Sequence, residues 1–170
     1  EALVVGFSGS KGNFTTEVLV GPGMYERKID HGVTIIATGA VEHKPNEYLY
    51  TEDDRVMTQL DLGNFLHENS KEAAKWQRVV MIQCVGSRND DNPNCSRVCC
   101  QGAVKHALEL KELNPDMEAI ILYRDMRTYG FKEDYYLEAA KQDVKFIRWE
   151  AAEKPTVEPA VEEGRQVWRV

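Results

Sequence analysis

No run among the 170 residues approaches the ~20 apolar positions that a membrane helix needs, and no charged start, apolar centre and small-residue cleavage site marks a secretory signal. The sequence describes neither a membrane span nor a recognisable secreted precursor. Basic residues are the minority, 21 Lys plus Arg against 28 Asp plus Glu for a net charge of −7, and they form no stripe able to displace phosphate counterions. That balance argues against a nucleic-acid partner. The runs Glu52-Asp53-Asp54 and Glu162-Glu163 read as solvated surface. Glycine is missing where a dinucleotide fold would require it. The strand ending in Cys84-Val85-Gly86-Ser87 carries one glycine, Gly86, and Gly102 comes only inside the next helix, so the G-x-G-x-x-G fingerprint is absent. An intact nicotinamide-binding module is thereby the weakest reading.

What is present is an acidic globular composition, 42% hydrophobic and 29% charged, in a length that buries a real core without disulfide staples. The N-terminal part reads as short strands with tight turns, Leu3–Phe7, Phe14–Val20 and Met24–Ile29, a meander separated by Gly-containing turns. Val33–Ala37 is a nearly continuous apolar run ending in Thr38-Gly39, which predicts a buried strand. The polar stretch from Val41 to Arg55 reads as a loop. Leu60, Leu62, Phe65 and Leu66 predict a helix over Thr58 to Glu68, with Ser70 capping a short helix through Trp76.

Arg78–Cys84 is a second buried-strand candidate, and Ser96–Leu113 is a helix on the spacing of Val104, Ala107 and Leu108, ended by Asn114-Pro115. Ala119–Tyr123, Lys132–Gln142 and Val144–Trp149 continue as strand, helix and strand. Their alternation predicts an α/β fold with a parallel sheet and crossover helices. The Pro- and Glu-rich tail from Ala151 to Gly164 reads as a loop before a last strand, Gln166–Val170. Glu1 stands where a methionine would, and an apolar run follows at once, so the chain is expected to be part of something larger.

All four cysteines fall within seventeen positions, as C-x10-C-x3-C-C: Cys84, Cys95, Cys99 and Cys100. Cys84 would close a strand, Cys95 follows Pro93 in a loop, and Cys99 and Cys100 would lie in the first turn of the long helix, in the crevice where open α/β sheets bind ligands. A helix N-terminus lowers thiol pKa, so thiolates there suit ligands or nucleophiles. Four thiolates fit tetrahedral zinc or an iron–sulfur cluster, the adjacent pair being easier to place around the larger group. Two disulfides or four buried thiols are the bland alternatives. Disulfides are disfavoured in a cytoplasmic-looking chain, and a bond between neighbouring cysteines is strained. His31, His43, His67 and His106 are scattered and read as surface or packing residues. Tyr123-Arg124-Asp125 with Arg127 and Tyr129-Gly130 could line a crevice, or Arg124 and Arg127 could simply pair with local acids.

Met81-Ile82-Gln83-Cys84-Val85-Gly86-Ser87-Arg88, then Asn94-Cys95-Ser96-Arg97-Val98-Cys99-Cys100, then Ile121 through Gly130, resemble the flavin-bearing A subunit of heterodisulfide reductase. The resemblance continues through Val144–Arg148. Upstream, Ile35-Ile36-Ala37-Thr38-Gly39-Ala40 is similar to the Ala-Thr-Gly turn that thioredoxin-reductase-type flavoproteins place beside FAD. The resemblance implies a Rossmann-like parallel sheet plus N-terminal β-meander as part of a thioredoxin-reductase-like flavoprotein. It implies a [4Fe–4S] cluster on Cys84, Cys95, Cys99 and Cys100, with Ala37, Thr38 and Gly39 as one wall of an FAD pocket. It further implies electron transfer between FAD and iron–sulfur centres, alongside other redox subunits of a cytoplasmic complex. No residue is assigned a catalytic role.

On this reading residues 1–55 are part of an FAD-binding domain, 56–150 a Rossmann-like domain carrying the cysteines, and 151–170 a return strand toward the FAD domain. The family's N-terminal FAD fingerprint and its inserted Cys-x-x-Cys runs are missing, which leaves further clusters to partner subunits. The alternative is a non-catalytic domain carrying zinc or free thiols.

Overall fold

The computed structural model describes residues Glu1 to Val170. They separate into two compact units, Glu1–Val41 and Glu42–Val170.

The first unit is an antiparallel meander of β1 (Ala2–Ser10), β2 (Asn13–Val20) and β3 (Tyr25–His31), in that order across the sheet. Alternation gives it one apolar face and one polar face. The register puts Phe7 opposite Thr16 and Phe14 opposite His31, so that Phe7, Phe14 and His31 share a face, with the Phe7 and Phe14 ring centres 5.1 Å apart. Glu17 and Lys28 pair on the other face. The extra residue Val5 is taken up by a register shift between Val4 and Gly6.

One expectation fails here. Val33–Ala37 forms no strand, and Ile35 and Ile36 stand more than four-fifths exposed. Its β-branched residues favour extended backbone, but a strand also needs a partner to take its N–H and C=O groups, and no other segment of the chain pairs with it.

The second unit is built on a parallel sheet, β4 (Arg78–Ile82), β5 (Glu118–Tyr123) and β6 (Lys145–Arg148), in the order β4-β5-β6. Its crossovers are α2 (Cys99–Leu113) and α3 (Glu133–Lys141), and α1 (Gln59–Ala73) precedes the sheet. Helix α1 starts at a reciprocal cap, in which Thr58 Oγ1 accepts from the Asp61 amide and the Asp61 carboxylate from the Thr58 amide. The predicted break before Ser70 is visible as a kink at Asn69 (φ −130°, ψ 36°).

The core gathers Leu66, Met81, Val104, Leu110, Met117 and Ile121 between sheet and helices. At its end, Lys111 snorkels to the Pro115 and Met117 carbonyls. Asn114 donates to the Ala74 and Trp76 carbonyls at 3.1 Å each, tying the end of α2 to the end of α1.

The tail departs from the sequence reading. Glu158–Glu162 is a strand, β7, which pairs with β8 (Arg165–Arg169) around Glu163-Gly164, both at positive φ as a two-residue hairpin requires. Pro159 and the glutamates hid it, because an edge strand tolerates both.

Candidate functional site

Beyond β4, the Gln83 amide makes the last ladder bond, to the Leu122 carbonyl at 2.9 Å, and the chain then turns at Cys84. Cys84, Gly86 and Arg88 hold φ of 65°, 65° and 58°, in the left-handed region. Gly86 suits that φ, and a Cβ there would also meet Nε2 of the exposed His43 at 2.2 Å, so that ring would have to turn aside. The loop runs on through Cys95 to the start of α2, where Cys99 and Cys100 are the first two residues; the helix begins three residues later than the Ser96 start expected from the sequence. The structure thus brings all four cysteines to one end of β4 and α2.

The helix start explains the chemistry of the pair. The residue preceding α2, Val98, has no side-chain acceptor and makes no capping bond, which leaves first-turn amides free. The Cys99 sulfur takes that role. It is approached by the backbone amides of Cys99 and Cys100, by the Cys100 thiol and, at 3.4 Å, by the Ser96 hydroxyl. The Cys100 thiol, followed by the Ser96 hydroxyl and these amides, holds the Cys99 pKa well below the ordinary thiol value against the opposing effect of burial. At Cys100 the neighbouring Cys99, followed by burial, pushes the pKa up. Cys95 accepts from the Arg97 amide at 3.4 Å. Burial also raises the pKa of Cys84, opposed by the Arg88 guanidinium that faces it, and Cys84 feels the charges of Cys99 and Cys95.

The four cysteines form no disulfide. No three Cys, His, Asp or Glu side chains are gathered as ligands of one ion, so the sulfurs are not a ready zinc tetrahedron. A group of wider span would take four thiolates and accept N–H bonds at sulfur, such as the amide contacts already made to the Cys95 and Cys99 sulfurs. One polar atom supports this fit directly: Arg88 Nη1 is buried and has no partner within the protein, beside Cys84.

Beside the cysteine loop lies a cleft of about 570 Å³, lined by Cys84, Arg88, Arg124 and Trp149 among others. Arg124 does not pair with an acid. Its Nη1 donates to the Arg88 carbonyl at 2.6 Å and its guanidinium lies over the Trp149 ring. Asp125 takes the Arg88 Nη2 at 2.6 Å through its carboxylate, and its carbonyl accepts from the Cys100 thiol at 3.6 Å. Ala37, Thr38 and Gly39 lie in the other unit and are exposed; a Cβ added at Gly39 would meet no atom within 4 Å. These three residues form no cradle by themselves that fits FAD.

No protein-family model matches the chain. Over 144 residues, 75% of the chain, it is 35% identical to the A subunit of the H(2):CoB-CoM heterodisulfide,ferredoxin reductase of Methanothermobacter thermautotrophicus, covering 22% of that protein. Over 141 residues, 72% of the chain, it is 40% identical to the A subunit of the H(2)/formate:CoB-CoM heterodisulfide,ferredoxin reductase of Methanococcus maripaludis, covering 21% of it. The iron-sulfur A subunit of the CoB--CoM heterodisulfide reductase of Methanocaldococcus jannaschii is 39% identical over 139 residues, 72% of the chain and 21% of the relative. The chain is homologous to a segment of the heterodisulfide reductase A subunit.

It spans about a fifth of the length of the curated relatives it matches. The cysteines, and Asp125 as a candidate crevice residue, are legible in the sequence; that Arg88 is tied to Asp125 is not. Arg88 and Asp125 stand 37 positions apart, and only the parallel pairing of β4 with β5 brings their loops together.

Proposed function

We propose that this chain is the cluster-bearing segment of a heterodisulfide-reductase-A-like flavoprotein oxidoreductase, with Cys84, Cys95, Cys99 and Cys100 as ligands of a [4Fe–4S] cluster. The observation that carries it is four thiols, none in a disulfide, set just past the end of β4, in the loop that follows and at the start of α2. When bound, the cluster would supply one-electron transfer. The protein's own part is to direct amides and positive charge at sulfur. The first-turn amides and Ser96 do this for Cys99, the Arg97 amide does it for Cys95, and Arg88 supplies positive charge at Cys84.

The electron partner in this reading is FAD of the whole protein, which lies in a thioredoxin-reductase-like body. Ala37, Thr38 and Gly39 would contribute one wall of its pocket, and the other walls would come from residues outside this segment. Other redox subunits of a heterodisulfide-reductase-like complex, in the cytoplasm, would pass electrons to or from the cluster. No helix is long and apolar enough to cross a membrane.

The test is anaerobic reconstitution of the chain with iron and sulfide, with Cys99→Ala in parallel. The expected result is about four irons and four sulfides per chain with broad visible absorption, and a lower iron count in the variant. One tightly held zinc ion and no sulfide would replace this reading with the zinc-domain alternative.

A further inference from the structure

Arg88 is held from both ends. Its carbonyl accepts from Arg124 Nη1 at 2.6 Å, and its guanidinium gives Nη2 to the Asp125 carboxylate at 2.6 Å. Its backbone is fixed at a φ of 58°, a conformation a non-glycine residue keeps only when its surroundings impose it. The side chain is 18% exposed. A surface arginine paired with one aspartate would keep its remaining N–H groups in water, but here Nη1 is buried and finds no acceptor in the protein. Burying an unsatisfied charged donor is costly, and a neutral thiol is only a weak acceptor, so this N–H calls for a sulfur that carries more negative charge than the Cys84 thiol it faces. The sulfur it faces is Cys84, and the Asp125 that anchors it also takes the Cys100 thiol on its carbonyl. Arg88 and Asp125 therefore bridge the first and last cysteines of the motif from outside the ligand set.

We infer that Arg88 is a positioning residue for the cluster, whose free Nη1–H donates to sulfur at the Cys84 corner and whose charge favours the reduced cluster, with Asp125 as its anchor. The inference rests on the cluster reading above. Its direction follows from electrostatics: one-electron reduction adds negative charge to the cluster, so a fixed positive charge and an N–H···S bond stabilise the reduced form more than the oxidised form. Removing both lowers the reduction potential. Arg88 touches no substrate and need not be required for holding iron.

The experiment is a mediated redox titration of the reconstituted 170-residue chain with dithionite as the one-electron reductant, read by electron paramagnetic resonance, on the wild type, Arg88→Gln and Arg88→Lys. Iron and sulfide are counted on each sample. The expected result is unchanged iron content with the reduced-to-oxidised equilibrium of Arg88→Gln shifted about tenfold toward the oxidised cluster, about 59 mV for one electron. Arg88→Lys, which keeps the charge and loses the planar fork, falls between the two. Equal potentials in wild type and Arg88→Gln overturn the inference and leave the cluster reading standing. If Arg88→Gln takes up no iron, Arg88→Lys decides, and a potential equal to that of the wild type overturns the inference. A wild type that takes up no iron and sulfide overturns both readings.

Discussion

Three of the five residues from Cys84 to Arg88 sit in the left-handed region, and two of them are not glycine. Left-handed backbone costs a side-chain-bearing residue roughly 1–2 kcal/mol, so the loop spends stability to aim the Cys84 sulfur and the Arg88 guanidinium. The ties of Arg88 to Arg124 and Asp125 offset part of that cost. Gly86 is where no such compensation exists, because its missing Cβ makes room for the His43 ring. Gly86→Ala is expected to lower stability by about 1–2 kcal/mol, the cost of a left-handed alanine, with a smaller addition for turning the exposed His43 ring aside, read as the shift in the urea midpoint. Adding His43→Ala should recover that addition and leave the backbone cost. A double variant no more stable than the single one would show that His43 is not the obstacle.

Helix α2 presents cysteines at its start and packs its length on α1 and the sheet, and one titratable side chain lies in that packing. His106 is 7% exposed, its Nδ1 bonds Gln59 Oε1 of α1 at 2.6 Å, and its Nε2 faces Gly63, where a Cβ would come within 3.1 Å. Burial, followed by the neighbouring Lys105, pulls its pKa below the ordinary 6.5, and Glu109 opposes them. The folded state then binds fewer protons than the unfolded state just below pH 6.5. This contribution to stability is whole above pH 6.5 and is lost as the pH falls through and below it. Urea midpoints at about pH 7.5 and about pH 5.5 should therefore fall further apart in the wild type than in His106→Gln; equal slopes in the two proteins would remove His106 as the cause.

The same elements show what periodicity can carry. The helical spacing of Val104 and Ala107 is the buried stripe of α2, and the strand–helix alternation after Arg78 is the parallel sheet. Val33–Ala37 was illegible because a propensity does not disclose whether a partner strand exists, and β7 because Pro159 and glutamates also suit an edge. At the site, cysteine spacing is a local signal. Arg88 is not, since its burial depends on an aspartate on another strand's loop.

At the scale of the whole chain, burial is unequal. The core cluster runs from Leu62 to Val144, all of it in the second unit, whereas the meander contributes Val18 as its one buried apolar side chain and leaves Val4, Phe7, Tyr25 and Ile29 half-exposed or more. Apolar area removed from water is the main favourable term in folding, and a three-stranded sheet with its apolar face open retains little of it. Local opening free energies should differ accordingly. Hydrogen exchange followed by mass spectrometry is expected to show amides of β5 and the middle of α2 exchanging only through unfolding of the second unit, with β1 to β3 at least about 100-fold less protected. Leu110→Ala sharpens this, because Leu110 is fully buried at the centre of the core and its truncation costs about 2–5 kcal/mol. That loss should appear as faster exchange in α2, β4 and β5 and leave the β2 amides at their former rate. Equal acceleration in β2 would mean that the meander draws its stability from the same core, and the two units would then have to be treated as one cooperative body.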